Sequence, residues 1–147
     1  MPSSTFQVVD EWANNVGIKK IDHSNDVFKL VLTNTAVTKA GTQVLADITG
    51  LSTANGYAPA TMTMTWAETA GGSGVWRLSM GADKTWTASG GNFGPFRYVV
   101  LYDDTPTSPA DPIVGFWDYG SAITVNDTET FTVDVDANFA VYTATVN

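Results

Sequence analysis

The sequence predicts a mainly β protein: an antiparallel β-sandwich or jelly-roll-like fold with one short N-terminal α-helix or arm. Three observations predict it. Short runs from residue 27 onward alternate apolar and polar residues with the two-residue period of a strand. Glycine, proline, asparagine and aspartate separate these runs at the spacing seen in all-β domains. One stretch, "GPFRYVVLYDD" at 94–104, is apolar in the middle of both its faces, which marks a strand covered from two sides.

The elements follow in order. Ser4 and Gln7 have the spacing of a capping box, and Phe6, Val9, Ala13 and Val16 recur at helical spacing up to Gly17, a candidate C′ residue. Residues 2–17 are therefore expected to form a short helix or arm that docks on a neighbour and is not part of the sandwich core. Next, 27–33 alternates, with Phe28, Leu30 and Leu32 on one wholly apolar face. Residues 44–51 fit one helical turn or a short strand, and Asn55-Gly56 supplies a turn. The run 61–66 alternates cleanly and pairs as a hairpin with 75–80 across the glycine-rich "AGGSG", placing Trp76, Leu78 and Met80 together. "TWTASGG" at 85–91 is a short strand closed by glycines.

The strand at 96–103 is parted from 112–119 by "DDTPTSPADP", whose prolines cannot donate to a ladder, and the two strands should pair antiparallel. "AITV", "NDTE" and "TFTVDVD" read as a further hairpin, with Phe131, Val133 and Val135 inward and Thr132, Asp134 and Asp136 outward. A last strand is expected near 139–146. No linker or repeat interrupts the chain. One domain over 1–147 is expected, with a sandwich over 18–147; a chain of this size buries roughly two thirds of its unfolded surface.

Composition excludes several function classes. A formal net charge of −8, with only seven Lys and Arg, withholds the phosphate-neutralising charge on which nucleic-acid binding depends, and it disfavours anionic membranes. With no cysteine, disulfides and thiolate metal sites are impossible. No apolar run approaches the about 20 residues of a membrane helix. "MPSSTFQVVDEW" lacks the basic and apolar regions of a secretory leader, so the expectation is a protein kept in a cytosol-like space.

Catalysis needs a nucleophile, a base and an orienting group. The chain has a single histidine, His23, in the turn-like "DHSND", and it is expected to be solvated. Asp103, Asp104 and Asp111, and separately Asp134 and Asp136, could offer oxygens to calcium, but no ligand-loop spacing accompanies them. Exposed structural acidity is the favoured reading. Trp66, Trp76, Trp86, Trp117 and Tyr119 could form a sugar-stacking platform, but most sit at inward-alternating positions and a core role is favoured. Arg97 is expected to pair with a carboxylate, at the sheet rim or across a subunit contact. No catalytic residue, cofactor or metal is expected.

The segments "VLADITGLSTANGY", "TWTASGG", "PFRYVVLYDDT" and "DPIVGFWDYGSAITVNDTETFTVDVDAN" together resemble a family of small virion structural proteins of tailed bacteriophages, over about residues 18–138. The resemblance implies a non-enzymatic head decoration (cement) protein. It would be assembled in the host cytoplasm and located in the virion, bound to the outside of the major capsid protein lattice. It would be a homo-oligomer, a trimer being favoured. Candidate interface residues are Phe6, Val9, Trp12 and Val16 on the N-terminal segment, Arg97, and Pro106 and Pro109 in the proline-rich loop. The alternatives are a tail or fibre-base component and a carbohydrate-binding β-sandwich module. The self-assembly expectation rests on the doubly apolar strands 96–103 and 112–119, which one small sandwich would not easily cover.

Overall fold

The computed structural model describes residues 4–137 and 139–145. Residues 2 and 3 of the expected N-terminal arm, and residue 146 of the expected last strand, lie outside them. The fold is mainly β, with antiparallel sheets and one short helix near the N-terminus. The elements are β1 (Gln7–Val8), α1 (Asp10–Gly17), β2 (Phe28–Thr33), β3 (Ala60–Met62), β4 (Met64–Glu68), β5 (Val75–Met80), β6 (Lys84–Thr87), β7 (Phe93–Asp103), β8 (Ile113–Val125), β9 (Thr130–Val133) and β10 (Phe139–Thr145), with a 3₁₀ turn at Leu45–Asp47. A five-stranded sheet in the order β1-β8-β7-β2-β3 forms one layer. Opposite it lie the three-stranded sheet β10-β5-β4 and the ribbon β6-β9.

The core forms between these layers. Register places Leu30 beside Leu101 and Leu32 beside Val99, and Val99 beside Trp117, on one face of the large sheet. Aromatic contacts join that face to the second layer: Trp12 meets Phe28 and Tyr142, Phe96 meets Phe131, and Trp117 meets Phe139. Each aliphatic side chain fully buried there stabilises the fold by about 1.5–3 kcal/mol relative to an exposed one.

The opposite face of β7 is buried as well, and its cover is the same chain. Val44 bridges to Pro112 and Gly50 to Thr33, and the Ile113 and Leu45 amides donate to the Gln43 and Asp111 carbonyls. The segment 43–51 is thereby held across the sheet. Gly50 lies so close to Val31 that a β-carbon there would sit 2.9 Å from Val31 Cγ2. Ile48 of this segment, and Val37 before it, are buried in the same cluster as Val31, Val100 and Tyr102. The doubly apolar strand is real, and much of its second face is covered by the same chain and not by a neighbouring subunit.

Three elements differ from expectation. The Ser4–Gln7 capping box does not form: Gln7 and Val8 pair with Phe116 and Gly115 of β8, and the Val9 amide donates to the Val114 carbonyl at 3.1 Å. An open sheet edge offered these amides partners before a helix could. The helix begins only at Asp10, with Val9 as an uncapped N-cap, and the left-handed residue after it is Lys19 (φ 59°), not Gly17. Second, the 61–66 run is broken at Thr63. Before it β3 pairs with β2, and after it β4 pairs with β5, so the chain crosses between layers there. Third, residues 122–125 are not one arm of a hairpin with 130–133. They continue β8 along β7 through register shifts, while β9 pairs with β6.

Candidate functional site

The sequence-nominated interface residues do not gather in one place. Val9 is 1% exposed and Trp12 0%, and Phe6 and Val16 pack partly buried against the same core. These N-terminal residues are mortar between helix and sheets, so the expected docking arm is corrected to a built-in edge of the fold. The helix buries Trp12 and Asn15, while Ala13 of the expected stripe is exposed. Pro106 and Pro109 are half-buried in a loop closed by the Asp111 amide donating to the Pro106 carbonyl. Arg97 forks onto Asp118 of the neighbouring strand, with Nε 2.7 Å from Oδ1 and one terminal nitrogen 2.9 Å from Oδ2. The Arg97 guanidinium, together with the Gly120 amide, holds the Asp118 carboxyl below its ordinary range. This is the carboxylate pairing expected, made within the chain.

His23 is not the solvated turn residue expected. Its ring is stacked on Trp66 (centroids 4.2 Å, planes 15° apart) and on Tyr142 (5.6 Å, 4°), with Trp12 edge-on at 5.7 Å. Trp66 and Tyr142 flank Leu78 in one cross-strand row of β4, β5 and β10, so the imidazole lies across that row. Burial pushes its pKa down, against the opposing pull of Asp26 and Asp22. Neither His23 Nε2 nor Trp12 Nε1 has a hydrogen-bond partner among the described residues. The ring ties the 22–26 turn to the small sheet.

Asp103 also departs from the exposed acidity expected. It is 0% exposed at the end of β7. Burial, and then Asp26 and Asp104 nearby, push its carboxyl up to about 8, against the Thr105 amide that donates to Oδ1 at 3.1 Å. Asp104 instead pairs with Lys29 at 2.5 Å. Among the described residues no three His, Cys, Asp or Glu side chains converge to hold a metal. No helix among them is long and apolar enough to cross a membrane.

The feature with the chemistry of a site is a cleft of about 410 Å³ between β8 and the β9–β10 passage. Trp117 and Tyr119, two residues apart on β8, share its floor with Val99. Phe131 and Val133 of β9 and Phe139 of β10 form its walls, and Ser4, Thr132, Asp134 and Asp136 supply its polar groups. The strap 134–136 is pegged by the Val135 amide donating to Asp83 Oδ1 at 2.9 Å. The rings do not make a flat platform. Phe6 meets Trp117 at 4.5 Å and 60°, Phe139 meets it at 5.8 Å and 32°, and Tyr119 meets Phe131 at 6.3 Å and 65°. They form a box. Of the other platform candidates, Trp86 is buried and donates to the Ala58 carbonyl, Trp66 is occupied by His23, and Trp76 stands 40% exposed. A second hollow, lined by Asn34, Thr35, Asn55 and Asn92 among others, carries no charged side chain.

Comparison of the chain with protein-family models, with curated proteins and with solved structures finds no match.

Proposed function

We propose that the protein is a non-enzymatic virion structural component, a capsid decoration protein that binds the outer surface of the major capsid protein lattice and stabilises the phage head. What carries this proposal is the resemblance of its segments to the tailed-phage virion family, together with where those segments lie. "PFRYVVLYDDT" and "DPIVGFWDYGSAITVNDTETFTVDVDAN" make up the β7–β8 hairpin, β9 and the strap. The likeness therefore falls on the scaffold and on the walls of the aromatic cleft together.

The physical case is one of binding and not of turnover. The sole histidine is spent on stacking, Arg97 on Asp118, and the cleft offers aromatic faces and carboxylates without a nucleophile–base pair beside them. A protein that binds only the mature shell stabilises that state by mass action, in proportion to occupancy and affinity. Because β7 is largely covered within the chain, a trimer would draw on peripheral groups such as Trp76, Ile18 and Val27, the exposed large apolar side chains among the described residues.

The test is mass spectrometry of separated heads and tails from virions of the phage that encodes the chain. The protein is expected in the head fraction at a copy number in fixed ratio to the major capsid protein. Recovery in the tail fraction alone would replace the proposal with a tail or fibre-base role.

A further inference from the structure

We infer that the cleft between β8 and the β9–β10 strap is a receptor for a basic side chain, arginine or lysine, presented by a partner protein. This goes beyond the decoration proposal: the cleft selects the chemistry of its occupant whichever particle supplies it.

Charge is the first argument. Every ionisable group of the cleft that can carry a formal charge at neutral pH is a carboxylate, Asp134 and Asp136, and no lysine, arginine or histidine is among the residues that line it. Both aspartates are exposed, and neither is in an ion pair with a described residue, whereas Lys29, Lys39 and Arg97 are engaged with Asp104, Asp10 and Asp118. The site thus holds two negative charges that its own walls do not neutralise. It does so in a protein whose net charge of −8 already attracts cationic partners over long range.

Ring geometry is the second. A sugar needs one exposed flat face to stack on. Here Trp117 is flanked by Phe6 and Phe139 and the rings are tilted by 32° to 89° to one another, so they do not combine into one flat platform. Tilted rings line the cleft with π-faces of differing orientation, and such faces attract a cation. A long basic side chain also fits the division of the lining: its methylenes meet Val99, Val133 and Val135, its charged end meets the carboxylates, and Ser4 and Thr132 provide hydroxyl acceptors.

The strap explains why the site is preformed. The Asp83 peg fixes Val135 between the two aspartates, and the Phe139 amide donates to the Asp136 carbonyl at 2.9 Å, so the carboxylates do not have to be gathered on binding.

The test is an amide and indole NMR titration of the full chain with N-acetyl-arginine methylamide, and with its neutral isostere N-acetyl-citrulline methylamide. The arginine probe is expected to give saturable shifts, in the millimolar range, at Trp117, Tyr119, Thr132 and Asp134. Citrulline should bind at least fivefold more weakly. Asp134→Asn/Asp136→Asn should weaken arginine binding at least fivefold, while Asp10→Asn/Glu11→Gln, which removes the same charge elsewhere, leaves it unchanged. Equal binding of arginine and citrulline, shifts spread over the acidic surface with both double variants equally weakened, or saturable binding of a neutral oligosaccharide such as cellohexaose in this cleft would each overturn the inference.

Discussion

The imidazole of His23 lies face to face with the indole of Trp66, centroids 4.2 Å apart, although the two residues come from a turn and a strand in different parts of the chain. With Tyr142 on the same imidazole and Trp12 at its edge, the single histidine of the protein is an internal packing element.

His23→Ala should therefore destabilise the protein by about 1–2 kcal/mol, the worth of lost aromatic contacts plus their burial. Burial favours the neutral ring, so the folded pKa lies below the ordinary 6.5. The stability His23 contributes is present above that ordinary value and is lost as pH falls through the depressed one. Proton NMR of the lone imidazole gives the titration directly. A midpoint at or above the ordinary value, or a silent His23→Ala in urea denaturation, would mean the stack is not maintained.

Asp103 works in the opposite sense. Its folded pKa, pushed up to about 8, exceeds its unfolded value, so its contribution is fully present below about 4 and fades as pH rises toward 8. Asp103→Asn keeps the acceptor for the Thr105 amide and cannot ionise. The variant should flatten the decline of stability between pH 5 and 9, measured as the urea midpoint. A wild-type midpoint that rises over that range while the variant tracks it would contradict the protonated assignment.

The N-terminal segment is predicted to be indispensable. Trp12→Ala should cost about 3–5 kcal/mol, as for a fully buried large aromatic. Deleting residues 2–16 should leave a chain without cooperative unfolding by circular dichroism. Gly115→Ala probes the same edge from the other side. Its β-carbon would collide with the Gln7 carbonyl and come within 2.6 Å of the Phe6 ring, so β1 must lift from β8. Loss of hydrogen-exchange protection at the Val9 amide is the expected sign, and a truncated protein that melts like the full chain would refute the built-in edge.

Much of this architecture was legible locally. The alternation at 27–33 and 96–103, the prolines at 104–112 and the "AGGSG" tip mark strands, a loop and a hairpin that the structure contains. What escaped depends on partners distant in sequence. Thr63 changes sheet without disturbing the alternation around it, and 122–125 stays with β7 through register shifts that no residue type announces. The helix start was within reach, since Asp10 and Glu11 occupy its first turn, where acids favour the macrodipole. In the cleft, Trp117 with Tyr119 and Asp134 with Asp136 were visible as strand-face pairs. Phe139 and Ser4 join them only through the fold. Nothing near His23 signals Trp66 or Tyr142.

Arg97→Lys should leave the fold intact but lose the fork, because an ammonium cannot reproduce two parallel N–H donors. The Asp118 carboxyl, held low by that guanidinium, should then titrate closer to its ordinary value. Carboxyl carbon NMR checks this, and an unmoved Asp118 would assign its depression to the Gly120 amide, which donates to Oδ1 at 2.8 Å.

The most direct measurement is cosedimentation of the purified protein with mature heads stripped of their surface proteins, followed by electron cryomicroscopy of the pelleted particles. The decoration proposal predicts saturable binding in a fixed ratio to the major capsid protein, density at repeated positions on the outer lattice, and heads that survive higher temperature when saturated. Protein that stays in the supernatant with mature and immature shells alike, or density confined to the tail, would contradict it.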